Sequence, residues 1–443
     1  MLQLKTFSRG GIHPPEEKLS AQSPIIYGDI PASILVAVDQ HIGKPCKLIV
    51  EKGAAVTRGQ VLAESSGFIS SNVHSPVAGR IQKIARFPLL GGQVREVIQI
   101  TPDNAGENLK SVIDNEPEQA VEIEKLTPDK IRKTIADAGI VGMGGAGFPT
   151  HVKLSPPDGK EIKELIINGA ECEPYITADH RLMLEYAEPL VKGILILQKL
   201  FGGIPVYIGI ENNKPDALQR IDEAVKNIPN VEVVPLKTKY PQGGEKQLIK
   251  AVVNREVPSK GLPMDVGVVV QNVATILAIY NAFYHKRPLM ERVLTVSGNM
   301  VKDPANIMLP IGTPISYIME KAEIDKENVG LVISGGPMMG KTSFSFESPI
   351  TKTSSAILFF NNSMISKREE NPCIRCGACI KACPMGLDVA QYTKMIIASV
   401  ISPKAKDSIL DCIECGSCSY VCPADRRLVH WMRFGKNIIR REN

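Results

Sequence analysis

Apolar residues along the 443-residue chain change their spacing several times, and each change marks a different kind of element. Residues 1–30 carry Arg9-Gly10-Gly11-Ile12-His13-Pro14-Pro15-Glu16-Glu17-Lys18, too punctuated by Gly and Pro for a helix or a central strand, which predicts an extended arm over another domain. Over 31–102 the apolar runs are short (Ser33–Val38, Lys47–Val50, Gln60–Ala63, Val77–Ile84, Glu96–Ile100) and divided by Gly- and Pro-bearing turns, predicting an all-β unit. Residues 103–126 are polar and read as a linker. Thr127-Pro128-Asp129 then opens a helix, with Thr as N-cap, Pro in the first turn and an acid at the positive end of the dipole. From there the pattern alternates: helix Lys130–Ala138, strand Glu164–Ile167, helix Leu182–Phe201, strand Pro205–Ile210, helix Pro215–Asn227, strand Val231–Pro235. This is the rhythm of an α/β layer, assigned to 127–290. Residues 266–284 carry no charge, but Gln271, Asn272 and Asn281 interrupt them, so they read as a buried strand feeding a helix capped by Asn272 rather than a membrane span. Over 291–365 the runs Arg292–Ser297, Ile315–Ala322 and Gly330–Ser334 predict a small α+β unit. The last unit, 366–443, holds a helix at Val389–Val400 and a basic helical tail. In that tail Leu428, Trp431, Met432, Ile438 and Ile439 are expected on one side, with Arg426, Arg427, Arg433, Lys436, Arg440 and Arg441 around the other.

Charge and composition exclude some functions. A net charge of +5 and 5% aromatic residues give no case for nucleic-acid binding. The opening Met1-Leu-Gln-Leu-Lys-Thr-Phe lacks the apolar core of a signal peptide, which favours a reducing cytosol.

The sharpest chemistry lies in the cysteines. Cys373, Cys376, Cys379 and Cys383-Pro384 are followed by Cys412, Cys415, Cys418 and Cys422-Pro423, two copies of C-x₂-C-x₂-C-x₃-C-P. Three closely spaced thiolates can wrap one [4Fe–4S] cube while the fourth ligates the other cube. Cys373, Cys376, Cys379 and Cys422 are therefore assigned to one cluster, and Cys412, Cys415, Cys418 and Cys383 to the second. Zinc would use separated pairs, and disulfides would suit a small secreted domain. The chain is expected to move single electrons.

Gly142-Met143-Gly144-Gly145-Ala146-Gly147 matches G-x-G-x-x-G, yet a helix precedes it and Pro149 follows, so a dinucleotide fingerprint of the usual kind is not expected. Glycines this dense still let backbone N–H groups approach a ligand, with Lys153 placed to meet an anion. Polar groups gather again at Asn168-Gly169-Ala170-Glu171-Cys172-Glu173, at Tyr240-Pro241-Gln242-Gly243-Gly244-Glu245 and at Gln271-Asn272-Val273-Ala274-Thr275.

The β unit resembles lipoyl and biotinyl barrel-sandwich domains, but its hairpin tip falls near Phe68 and no Lys occurs between Lys52 and Lys83, so a swinging arm is not expected. Taken in order, the motifs resemble the C subunit of the Rnf electron-transport complex, whose core is similar to the flavin- and NADH-binding subunit of respiratory complex I. The resemblance implies a multidomain α/β and α+β protein: barrel-sandwich domain, α/β flavin/NADH domain, SLBB-like β-grasp domain and helical two-cluster ferredoxin-like domain. It implies FMN, NAD(H) and two [4Fe–4S] clusters as cofactors. Gly142, Gly144, Gly145, Gly147, Lys153, Asn168, Gly243 and Asn272 would hold the flavin, with Tyr240, Gly244 and Thr275 in the same turns. Phe148, Glu171, Glu173 and Glu245 would face the nicotinamide nucleotide, Glu171 and Glu173 as the catalytic acids. Met143 and Ala170 depart from the pattern of the complex I relative. The implied partners are the other Rnf membrane and iron–sulfur subunits and, through them, ferredoxin, at the cytoplasmic face of the cell membrane. A soluble NADH-dependent flavin/iron–sulfur reductase of the cobalamin-reductase kind, or a non-enzymatic relay scaffold, are the alternatives.

Overall fold

Strands rich in Val and Ile build the centre of the protein, buried on both faces except at the edge strand Val231–Leu236, where Glu232 is exposed. In the computed structural model, which describes residues 4–365 and 368–442, they form a four-stranded parallel sheet. Its order is Val231–Leu236, Val206–Glu211, Glu164–Gly169, Val268–Asn272. Alternation sends Leu165, Ile167 and Val269 into one core and Ile166, Val268 and Val270 into another. Helices Ala178–Glu185, Ala187–Leu200 and Val273–Tyr284 cover the first face, and Glu245–Val253 the second. The uncharged 266–284 stretch is thus a strand and a buried helix, with the Asn272 side chain accepting from Ala274 N as the cap. Thr127 likewise caps the helix Pro128–Asp137 by accepting from Lys130 N.

The barrel-sandwich unit pairs a four-stranded sheet (Ile34–Ala37, Val94–Pro102, Gly79–Pro88, Ala55–Val56) with a three-stranded one (Lys47–Leu48, Val61–Glu64, Val73–His74) around Ile34, Leu62, Ile81 and Ile98. Phe68, 66% exposed, sits in the hairpin loop between the last two of those strands. A six-stranded mixed sheet follows, ordered Ile25–Tyr27, Ala305–Pro310, Glu291–Ser297, Ala356–Asn361, Val329–Ser334, Lys341–Thr342, with the helix Ile315–Lys321 against it. Among the described residues, five helices make the C-terminal unit: Ala378–Ala382, Val389–Ile397, Pro403–Leu410, Ser417–Tyr420 and Leu428–Glu442.

Several expectations need correction. The arm ends in an edge strand, Ile25–Tyr27, because its bonds run to Ala305–Pro310, a strand hidden in the sequence by its flanking prolines. The 103–126 linker holds the helix Leu109–Asp114, whose Leu109 is fully buried; polar neighbours masked that single anchor. The expected helix Leu182–Phe201 is two helices broken at Tyr186, since Pro189 has no N–H to offer Glu185 and crowds its carbonyl. In the spacer the helix expected to reach Val400 stops at Ile397, and a second runs Pro403–Leu410. In the tail, Lys436 does not project to solvent but is buried against Glu414 at 2.6 Å, and the partly exposed Arg433 also binds Glu414, at 3.2 Å, leaving Arg440 and Arg441 exposed. The expected start of the last unit at residues 366–367, together with the first three residues and Asn443, lies outside the described residues.

Candidate functional site

The glycine-rich loop is an arch closed at its base and open at its crown. Gly142 N donates to Phe148 O (2.9 Å) and Thr150 N to Ile140 O (3.0 Å), which close the base. Met143 is buried and fixed on both sides: its N–H donates to Thr275 Oγ1 (3.0 Å), and its carbonyl accepts from Arg292 Nη2 (2.9 Å). Gly144 and Gly145 stand exposed above it. A Cβ on Gly144 would come within 2.9 Å of the Asn272 amide, whereas one on Gly145 would meet nothing within 4 Å. Gly147 has φ +74° and touches the barrel-sandwich unit, where a Cβ would lie 3.1 Å from Gln40 O.

The arch faces the C-terminal ends of the parallel strands, where open α/β sheets bind ligands. There Asn168 Nδ2 donates to Gly243 O (2.9 Å), and Asn272 Nδ2 donates to Asp179 Oδ2 (2.6 Å). A Cβ on Gly243 would find only ordinary contacts, the nearest being Cys172 Sγ at 3.4 Å. Gly142, Gly144, Gly145, Asn168, Gly243, Asn272 and Thr275 are thus gathered around one cradle, and its open crown at Gly145 fits a flavin phosphate or ring approached by backbone N–H groups.

The charged residues expected there sit differently. Lys153 and Glu245, assigned to an anion and to the nucleotide, pair with each other at 2.5 Å. Glu171 accepts from the N–H groups of Asp179 (2.6 Å) and His180 (3.1 Å), at the start of the helix Ala178–Glu185. Glu173 accepts from Met338 N (3.1 Å) and Met339 N (2.9 Å), and Tyr240 OH approaches it at 3.4 Å. Burial pushes the Glu173 carboxyl up to about 7, against the pull of those N–H groups. Glu171 and Glu173, the expected catalytic acids, therefore clamp backbone in this structure. Phe148 lies half-buried at the base of the arch.

Each cysteine run repeats one local conformation. Arg375 and Glu414 at φ near +60°, and Gly377 and Gly416 at φ 74° and 79°, occupy equivalent positions in the two runs. Such left-handed residues turn successive N–H groups toward one centre, a favourable setting for thiolates. Cys373, Cys376, Cys379 and Cys422 line a cavity of about 210 Å³ with Arg426 and Lys394 at its edge. Cys383 comes beside Cys412, Cys415 and Cys418, and burial pushes the Cys412 and Cys418 thiols up to about 11 and about 12. Cys422 thus lies by the three close cysteines of the first run, and Cys383 by those of the second. Among the described residues no three Cys, His, Asp or Glu side chains close to single-ion distance. The two quartets differ in depth: Cys376 is exposed, whereas Cys383 and Cys415 are each 7% exposed. Tyr240 OH, from the flavin-side turn, donates to Cys415 O at 2.8 Å.

Family models match along most of the chain. They are the RnfC barrel sandwich hybrid domain at 5–105, the Nuo51 FMN-binding domain at 135–281 and a 4Fe-4S dicluster domain at 372–426. The C subunit of the proton-translocating ferredoxin:NAD(+) oxidoreductase complex of Clostridium ljungdahlii is 42% identical over 98% of this chain and 94% of its own length. The chain belongs to the RnfC family. The Na(+)-translocating counterpart from Acetobacterium woodii is 41% identical over 87% of each chain. The C subunit of the ion-translocating oxidoreductase complex of Rhodobacter capsulatus is 40% identical over 98% of this chain and 83% of its own. A solved structure of an NAD+-reducing [NiFe]-hydrogenase, air-oxidized, is similar in fold, with TM-score 0.53 and 19% identity over 75% of this chain and 66% of that one. Among the described residues of this RnfC chain, no helix is long and apolar enough to cross a membrane.

Sequence reasoning missed the buried cations that hold the loops. Lys18 Nζ donates to three carbonyls, Glu171 O, Glu173 O and Ile176 O, at 2.8, 2.8 and 2.6 Å. Lys214 Nζ donates to Ala170 O (2.7 Å), and Arg292 bridges Met143 O and Ser354 O. Burial holds the Lys18 ammonium below its ordinary range and pushes the neighbouring Asp179 carboxyl up to about 6. A carbonyl partner leaves no mark in sequence, and the only signal for Lys18 was its place at the end of the Gly/Pro-rich arm.

Proposed function

We propose that this chain is the NAD(H)-exchanging electron-transfer subunit of an Rnf complex, working with FMN and two [4Fe–4S] clusters. The cradle at the C-terminal edge of the parallel sheet would hold the flavin, through Gly142–Gly147, Asn168, Gly243 and Asn272. A bound flavin accepts hydride as an electron pair and releases single electrons, the conversion needed between NADH and clusters. The chain's own residues keep that site rigid: Arg292 and Thr275 fix the arch, Lys18 and Lys214 fix the strand-end loop, and Glu173 ties that loop to residues 338–339. Lys153 lies within reach to exchange Glu245 for an anionic ligand oxygen.

The observation that carries the reading is the seam at Tyr240, where the flavin-side turn touches the backbone of Cys415 in the buried quartet. The exposed quartet around Cys376 would then be the exit toward partner subunits. Those partners are the membrane and iron–sulfur subunits of the complex, which couple ferredoxin and NAD to ion movement. The chain would sit peripherally on the cytoplasmic face, where NAD(H) is found. The domain limits offered are 31–102 for the barrel-sandwich, 127–290 for the flavin unit, 291–365 for an SLBB-like β-grasp unit and 366–443 for the cluster unit. In a cobalamin-reductase-like arrangement the barrel module is expected after the flavin domain, whereas here it precedes it. Anaerobically isolated chain should carry about one FMN and about eight iron atoms. Iron near four, or protein free of flavin after reconstitution with FMN, would overturn the proposal.

A further inference from the structure

The arm of residues 5–18 runs along the seam between the flavin unit and the cluster unit. Its first part belongs to the flavin side: Lys5 N donates to Pro235 O (3.0 Å), Thr6 Oγ1 to Gln242 Oε1 (2.8 Å), and the Lys239 ammonium stands 4.0 Å over the Phe7 ring. Its next residues reach both sides at once. Ile12 exchanges two backbone bonds with Tyr240, at 2.8 and 2.9 Å, while Gly11 N donates to Ala382 O at 2.9 Å. Ala382 immediately precedes Cys383, the crossed ligand of the buried quartet. Gly10 packs on that ligand's own backbone: with φ +64°, a Cβ there would lie 2.5 Å from Cys383 C. The Arg9 side chain rests against Gly386 in the turn after Cys383, where a Cβ would lie 2.3 Å from Arg9 Nη1. Ile12, Tyr240, Ala382 and Cys415 are buried together as one small apolar cluster.

We infer that Arg9–Ile12 is a positioning strap that seats the buried cysteine quartet against the Tyr240 turn, and so sets the rate of electron hand-over between flavin and that cluster. The inference rests on the flavin and cluster reading above. NADH is the reductant, each electron leaving the reduced flavin reduces one cluster by one, and the flavin proton goes to solvent. The strap itself exchanges no electrons; it holds two groups at a fixed separation. Direct contacts such as Gln247 Nε2 to Met385 Sδ (3.2 Å) and Lys260 to Asp407 (2.8 Å) also cross the seam, so loosening the strap shifts the seat without releasing the domain.

The test uses full-length, cofactor-loaded chain carrying Gly10→Ala or the milder Arg9→Ala. Flavin content, iron content and the rate of flavin bleaching by NADH should match wild type. Cluster bleaching should slow several-fold in Gly10→Ala, because the added Cβ must push back the Cys383 backbone it would otherwise meet at 2.5 Å. Arg9→Ala should slow it less. Deuterium uptake should rise in both variants over 9–12 and 380–386 and remain unchanged in the Val206–Glu211 strand. Wild-type cluster bleaching with unchanged exchange in both variants overturns the inference. Loss of iron in Arg9→Ala also overturns it, by making the arm part of cluster assembly. Wild-type chain that binds no flavin or iron would instead sink the functional reading, before any variant is compared.

Discussion

Replacing Gly145 by leucine separates the fold from the flavin site. In the ligand-free chain a Cβ at this position meets no atom within 4 Å, and its φ lies outside the left-handed region. An exposed substitution of that kind changes stability by no more than about 0.5 kcal/mol. With FMN in the cradle, the same side chain occupies ligand space. Overpacking of about 1–3 kcal/mol converts to FMN binding weakened about 5- to 150-fold. Gly144→Leu is the contrasting case. Its Cβ already falls 2.9 Å from the Asn272 amide, which Asp179 and Ala274 N hold in place, so the apoprotein itself should lose about 1–3 kcal/mol. The assay is FMN titration of apoprotein by fluorescence quenching, beside urea unfolding of the same samples. Normal FMN affinity in Gly145→Leu would refute the placement of the cradle. Equal destabilisation of both apoproteins would refute the reading of the open crown.

Three other perturbations bear on the remaining parts of the site. Cys383→Ala should lower iron from about eight to about four and spare the EPR signal of the exposed cluster, since Cys383 sits with Cys412, Cys415 and Cys418; loss of the exposed cluster instead would contradict the crossed pairing. Lys18→Met removes three ammonium–carbonyl bonds, a loss of about 3 kcal/mol after desolvation is offset, so amide exchange over 171–176 should accelerate on the order of 100-fold. Glu173 has its folded value raised from 4.5 to about 7, so its contribution to stability is full below about pH 4.5 and is lost as pH rises through about 7. Glu173→Gln should remove that slope, worth about 3 kcal/mol across the window, in urea midpoints measured from pH 5 to 8; parallel wild-type and variant curves would show that the carboxyl titrates normally.

What the sequence revealed and concealed follows a physical line. Cysteine spacing, the Thr127 and Asn272 caps and the glycine arch are local features, carried by residues a few positions apart, and they were legible. The burial pattern of the parallel sheet was legible too, because strands covered on both faces are apolar throughout. Lys18 and Arg292 were not, since the hydrogen-bond partners that hold them are carbonyl oxygens, which every residue possesses. Ile25–Tyr27 is only three residues long and depends on a partner strand nearly three hundred positions away. The acids Glu171 and Glu173 were legible as polar residues at a strand end, but Glu173's partners were set by the approach of Met338 and Met339 from another unit, while Glu171 turned to the N–H groups of Asp179 and His180.

The central claim, that hydride enters at the arch and leaves as single electrons through the cysteine quartets, is tested most directly by mixing anaerobic, cofactor-loaded chain with NADH and following flavin absorbance and cluster EPR over time. The account predicts that flavin absorbance falls first, that cluster signals follow it, and that both changes shrink in the Gly145→Leu chain in proportion to the flavin it fails to retain. Cluster reduction that precedes flavin bleaching, or proceeds undiminished in Gly145→Leu chain shown to lack flavin, would contradict it.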